Sequence, residues 1–299
     1  MNWDDLRVFL QVGRSNSLTA AGKLLKMDPS TLGRRITRLE ERMGVRLFLK
    51  TPQGYDLTES GLRLMEHAGE MELSSLSAQE IVQGQTDQLS GTVRIGAPDG
   101  IANFLLPEVC AEISAENPEL DIQILAVPRV LNLSKREADM AITVSPPTAG
   151  RLMVQKITDY RLHLAARRDY IAAHPDLQSI AQVKDHPIIG YIPDLIFDKE
   201  LDYLDEIGLH PTVGLASNSA SVQINMINQG AGLGVVHDFA MPNFPDLAFL
   251  FKDTLVLKRS FYLVRHEGDR RVSRLNRFAD CLGQGMRDMV KRKEAVKPA

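Results

Sequence analysis

The chain has little of what redox, metal or membrane chemistry needs. Two cysteines occur in 299 residues, Cys110 and Cys281, far apart and each inside a stretch of helical pattern. No ligand spacing accompanies them, which argues against a metal site. Two readings of the pair stay open: buried reduced thiols packed as small hydrophobes, or a redox couple, which would need Cα atoms within about 7 Å. No run of about 18 apolar residues is present, which excludes a helical membrane span. The opening MNWDDLRVFLQV places acids where an export signal needs bases, and no small-residue cleavage site follows, so a cytoplasmic location is expected. A P-loop glycine pattern and a paired nucleophile and base are also missing, and GAGLGV at 230–235 falls short of a dinucleotide fingerprint. Neither an enzyme nor a cofactor is expected.

What is there suits a globular protein of about two domains, with 44% hydrophobic and 24% charged residues. The net charge of −3 hides an asymmetry. Between residues 26 and 50 stand seven bases (Lys26, Arg34, Arg35, Arg38, Arg42, Arg46, Lys50) against three acids (Asp28, Glu40, Glu41). A basic segment on an acidic chain points to a local polyanion site.

The first 58 residues have the pattern of a winged helix-turn-helix. Leu6, Phe9, Leu10 and Val12 recur at helical spacing, Ser15-Asn16-Ser17 breaks the run, and Ser17 caps a short helix, LTAAGKLL. Asp28-Pro29 is an N-cap followed by a favoured first helical residue. The helix it starts puts Leu32, Ile36, Leu39 and Met43 on one face, the arginines on others, and Gly44 at its end. VRLFLK and YDLT flank a Pro/Gly turn and predict a hairpin. From Thr58 a long helix runs to about Ile81, with Leu62, Met65, Ala68, Met71, Leu73 and Leu76 apolar. So small a head leaves that stripe uncovered, which predicts pairing with a second copy.

Polar residues 84–91 mark a hinge, and beyond them strands and helices alternate as in an α/β domain. TVRIGA, LDIQILAV, ADMAITV, YRLHLAARR, PIIGY, PTVGLAS, GLGVVH and FYLVRH read as strands. Helices are expected over about 101–117, 130–136 and 219–229, with a last one from about Arg270.

SLTAAGKLL, DPSTLGRRITRLEERMGVRLFLKT and LTESG resemble the N-terminal signature of LysR-type transcriptional regulators. The order of the later segments TVRIGA, ADMAIT and INMINQGAGLGVVHDF is similar to that family's over the whole chain. The resemblance implies an α+β multidomain protein: a winged helix-turn-helix (1–58), a linker helix (59–83), a hinge, and a two-lobed, periplasmic-binding-protein-like effector domain (92–299). Its first lobe would hold about 92–160 and 266–299, its second about 161–265. The implied partners are a double-stranded DNA operator, a small-molecule effector and further copies of the chain, as dimer or tetramer, with no membrane.

A recognition helix meets the major groove with its N-terminal residues. Pro29, Ser30, Thr31, Gly33 and Arg34 would then face base edges, with Arg34 suited to guanine and Thr31 to a thymine methyl. Arg35, Arg38, Arg46 and Lys50 suit phosphates, and the resemblance adds Ser17 and Thr19. A solvated face bridged to Glu40 and Glu41 is the competing account of the arginines. Gly33 stands where the family often has serine; close approach to DNA and tolerated drift both explain it.

Helix N-termini facing a cleft attract anions. Two segments qualify: Asp99, Gly100 and Ile101 after the first strand, and Ser217, Asn218 and Ser219 before the helix at Val222. The resemblance adds Pro128, Arg129, Ser145, Val236 and His237. His237, where the family often has leucine, either tunes specificity or faces solvent. Asp99 stands against a simple carboxylate ligand. The alternative to an effector-responsive regulator is a ligand-independent one whose α/β portion serves oligomerisation only.

Overall fold

The computed structural model describes residues 2–52, 54–83, 88–126, 133, 137–208 and 213–296. Packing divides the chain into two units, residues 1–87 with 132–139 and 266–276, and residues 88–131 with 140–265 and 277–299.

The first unit opens with three helices, α1 (Trp3–Ser15), α2 (Leu18–Leu25) and α3 (Pro29–Met43), each begun by a side-chain cap. Asn2 accepts the Asp5 N–H at 2.9 Å, Ser17 that of Ala20 at 3.3 Å, and Asp28 that of Ser30 at 2.8 Å. Each cap satisfies an N–H that the helix itself leaves without an acceptor, worth about 1 kcal/mol. The hairpin follows as β1 (Phe48–Thr51) and β2 (Gly54–Leu57), with Thr51 opposite Gly54. Gly54 has φ +134°, and a Cβ there would stand 2.1 Å from the Asn16 carbonyl oxygen, so only glycine closes the wing against the first helix-to-helix turn.

Leu6, Phe9, Leu10, Leu32, Ile36, Leu39, Leu47 and Phe48 form one core. Met43, expected on that face, is exposed; it falls in the last turn, where the core has run out. The long helix α4 (Glu59–Gln83) gives Met65 and Ala68 to the same core, and Arg14 of α1 bonds its Glu72. The head therefore covers more of α4 than the stripe alone suggests. Leu62 and Met71 remain about half exposed.

The second unit is built on one mixed sheet, which among the described residues holds nine strands. β3 (Gly91–Ala97) lies between β4 (Leu120–Ala126) and β5 (Met140–Thr143), all parallel. β7 (Ile188–Gly190) lies between β8 (Val213–Ala216) and β9 (Leu233–His237), again all parallel. Two long strands, β6 (Leu152–Arg167) and β11 (Leu257–His266), stand side by side between these triplets, and β10 (Leu247–Leu250) pairs with β6. Parallel neighbours need crossover connections, and helices supply several of them among the described residues.

α5 (Asp99–Phe104) and α6 (Leu106–Glu116) join β3 to β4, α8 (Tyr203–Glu206) lies between β7 and β8, and α9 (Ala220–Asn228) joins β8 to β9, while α7 (Arg168–Ala173) follows β6 and α10 (Ser273–Ala295) follows β11. Where one helix was expected over 101–117 there are two, broken at Leu105. Pro107 has no N–H to donate and crowds the preceding turn. The strand β10 was not anticipated, because four apolar residues carry no period that separates strand from helix. Strand β6 begins eight residues before Tyr160, in a stretch of mixed polarity. Of the expected hinge, 84–87 lie outside the described residues, as does most of the helix expected at 130–136, and Gly91 already belongs to β3.

Both cysteines are free. Cys110 is buried in α6, and burial pushes its thiol up to about 11, so it stays protonated and inert at neutral pH. Cys281, expected to be buried, is exposed, because it falls off the stripe of Phe278, Leu282, Met286 and Met289 that α10 turns inward.

Candidate functional sites on the recognition helix and at the strand ends

The apolar row of α3 does not end in a hydrophobe. Glu40, next after Ile36 on the buried side, accepts the backbone N–H of Leu47 at 2.7 Å and of Phe48 at 3.1 Å. Its other oxygen takes Arg46 at 3.3 Å. A buried carboxylate thus fixes β1, and with it Arg46 and Lys50, relative to the helix. Sequence reasoning missed this role; the signal was one acid at the i+4 position of an apolar row.

The arginines of α3 divide by what they meet. Arg42 reaches buried Asp5 at 3.0 Å, and Arg35 lies 4.0 Å from the same carboxylate. These belong to the head's own framework, which leaves Arg35 less available to phosphate than expected. Arg34 and Arg38 are exposed, and among the described residues no carboxylate pairs with either within 4.0 Å. The salt bridges to Glu40 and Glu41 proposed for the set reduce to the one from Arg46. Ser30, Gly33, Arg34, Arg38, Arg46 and Lys50 line a groove of about 840 Å³ between α3 and the hairpin. Pro29 and Thr31 are half-buried at the start of α3. Thr19 is exposed, whereas the Ser17 hydroxyl is engaged in capping α2. A Cβ on Gly33 would meet only Leu18 Cδ1, at 3.4 Å, so the head has room for one.

In the second unit most of the candidate residues follow the C-terminal ends of parallel strands, where α/β sheets place ligands. Asp99 follows β3, Ser145 follows β5, Ser217 follows β8, and His237 ends β9. A recess there is lined by Asp99, Gly100, Ile101, Asn218, Ala220 and His237, joined by Val144, Tyr191, Phe197, Leu201 and Phe261. Its volume is about 20 Å³, room for a water molecule.

The recess is tight because its own side chains meet across it. Asp99 Oδ2 accepts the Ser219 hydroxyl at 2.7 Å and the Ser221 N–H at 2.8 Å, and its Oδ1 accepts the Asn103 amide at 3.0 Å. Gly100 lets His237 approach: a Cβ would lie 3.2 Å from His237 Cε1. His237 is buried against Tyr160 and Phe239 rather than facing solvent. Burial holds its imidazole down to about 4, although Asp238 and Asp99 pull it upward, so the ring is neutral at pH 7.

Other candidates lie elsewhere. Ser145 donates to the carboxylate of Asp198 and is not among the lining residues. Ser217 accepts the Ser219 N–H at 3.1 Å, a loop contact. Val236 is buried, and its neighbour His237 is the one that lines the recess. Pro128 and Arg129 lie outside the described residues. Tyr191 was missed; an aromatic directly after the PIIG strand was the available sign.

Known proteins match both units. Residues 3–62 match the model for the bacterial regulatory helix-turn-helix protein, lysR family, and residues 86–287 that for the LysR substrate binding domain. The chain is 26% identical over 196 residues to the HTH-type transcriptional regulator CrgA of Neisseria meningitidis, 64% of each chain, so just under two thirds of that relative is spanned. A full-length OxyR variant from Pseudomonas aeruginosa superposes with TM-score 0.73 at 18% identity, over 96% of this chain and 98% of that one. Full-length LysG of Corynebacterium glutamicum, solved with bound effector Arg, gives 0.64 at 18% identity, over 96% and 99%. At such identities the likeness to the structures is one of fold.

Proposed function

The chain belongs to the LysR family of bacterial helix-turn-helix proteins, and from that premise we propose that it is a sequence-specific DNA-binding transcription regulator whose α/β domain takes a small-molecule effector at the strand-end recess. The observation that carries the DNA half is the division of the arginines. Arg35 and Arg42 serve the head, while Arg34 and Arg38 stand outward on the groove with Arg46 and Lys50. Arg34 reads guanine, Thr31 a neighbouring base, and Arg38, Arg46 and Lys50 hold phosphates, with Ser17 and Thr19 beside them. The half-exposed Leu62 and Met71 of α4 support pairing with a second copy, which sets two heads on half-sites about one helical turn or a multiple apart. Such a protein works in the cytoplasm; among the described residues no helix is long and apolar enough to cross a membrane.

Effector control follows if a ligand binds one arrangement of the α/β domain better than another. The recess as it stands admits a water and no more, which favours a second reading in which the domain is ligand-blind and serves assembly.

The test is genome-wide binding of the tagged protein with Arg34→Ala beside it, followed by mobility shifts at the recovered sites with a metabolite panel. Discrete peaks lost in the variant, and a metabolite that shifts operator binding in the wild type but not in Gly100→Leu, support the proposal. Peaks indifferent to Arg34 overturn the recognition residues. Binding indifferent to every metabolite favours the ligand-blind form.

A further inference from the structure

The strand-end recess already contains an anion. Helix α9 starts at Ala220, and its first amides present N–H groups that the helix does not use. Ser219 caps one of them, accepting the Val222 N–H at 3.1 Å. The next free position, Ser221 N–H, is taken at 2.8 Å by Asp99, whose same oxygen also receives the Ser219 hydroxyl. Asp99 arrives from a different helix, 122 residues earlier in the chain. Its second oxygen is held by Asn103, so both carboxylate oxygens are committed.

We propose that Asp99 is an internal occupant of the anion seat at the start of α9 and the residue that sets effector specificity, excluding carboxylates in favour of an uncharged or cationic ligand. A second carboxylate brought within a few ångströms of Asp99 meets like-charge repulsion, and the Ser219 hydroxyl and the Ser221 and Val222 N–H groups that would offset it are already used. What remains of the lining is apolar and aromatic, from Ile101, Val144, Tyr191, Phe197 and Phe261. Its polar groups are Asp99 itself, the Tyr191 phenol, the Asn218 amide and the neutral His237 ring. In an arrangement wider than the present one, which admits only a water, that set suits a small apolar or aromatic molecule bearing a donor, an amine or a hydroxyl. The statement about effectors rests on reading the recess as the effector site; the occupancy of the α9 seat does not.

The experiment removes the internal carboxylate and offers it back as acetate. Full-length Asp99→Ala melts at a lower temperature than wild type. Its midpoint rises by about 2 °C or more when about 100 mM sodium chloride is replaced by sodium acetate, while wild type is unmoved. Asp99→Ser carries the same comparison if the alanine variant does not melt cooperatively. A variant indifferent to acetate, or a wild type that responds as strongly, overturns the proposal. The effector reading fails separately. Acetate capture by Asp99→Ala, alongside operator binding that no metabolite alters, leaves the seat standing and removes the effector. A metabolite response with an acetate-blind variant does the reverse.

Discussion

Glu40 holds the backbone N–H of Leu47 at 2.7 Å, so the first strand of the wing hangs from the recognition helix by a side chain. The wing's bases are therefore positioned by an acid. Glu40→Ala strands two buried N–H groups and is expected to cost about 1–3 kcal/mol in urea unfolding. Glu40→Gln, which keeps an acceptor, loses less. Operator affinity falls in the same order, and equal stability of the two variants contradicts the assignment.

Arg34 and Arg42 sit on one helix and are expected to fail differently. Arg34→Ala loses about 1–3 kcal/mol of discrimination at one base position, seen by comparing operator and single-base variants in mobility shifts. Arg42→Ala leaves base preference intact and lowers the unfolding midpoint, because among the described residues buried Asp5 then keeps Arg35, at 4.0 Å. Lys50→Ala weakens all sites alike and reduces the slope of log affinity against log salt by about one.

Gly33 separates the two explanations of an unusual residue. Alanine has room within the head and is favoured in a helix by about 1 kcal/mol, so Gly33→Ala is expected to raise the melting temperature. If glycine serves close approach to DNA, the more stable variant binds its operator more weakly. Unchanged operator affinity marks the residue as drift.

The neutral imidazole of His237 makes stability fall in mild acid. In the unfolded chain the group titrates near 6.5, and in the folded chain burial holds it to about 4. Between these values the unfolded state binds the proton and the native state does not. The stabilisation is therefore complete above pH 6.5 and lost as pH falls, by about 2 kcal/mol at pH 5. Urea midpoints at pH 7 and pH 5 should differ less in His237→Gln than in wild type. Equal differences refute the origin of the slope.

The head was legible residue by residue because its signals are local. Ser17, Asp28-Pro29 and Gly44 each fix a helix end through their own backbone neighbours, and Leu32, Ile36 and Leu39 repeat at the helical period. The partners of Glu40 were not legible, since nothing in a sequence says which amide a buried carboxylate will meet seven residues on. In the α/β domain the strand ends at Asp99 and Ser217 could be read. Their meeting could not, because it depends on packing 120 residues apart. Taken segment by segment, Asp99 is ill placed beside an anion site. Across the recess it is the anion.

Strands β11 and β6, ten and sixteen residues long, tie the two parallel triplets together: β11 pairs with β5 and β6 with β9. Where the two triplets meet, the sheet continues through the hydrogen bonds between these strands. A rotation of one triplet against the other must wind or unwind a two-stranded ribbon, whose stiffness comes from its ladder of hydrogen bonds. Such a ribbon behaves as a torsion bar. Its restoring force acts along its length, so a ligand that moves Asp99 by a few ångströms is expected to load the ribbon away from the residues it touches.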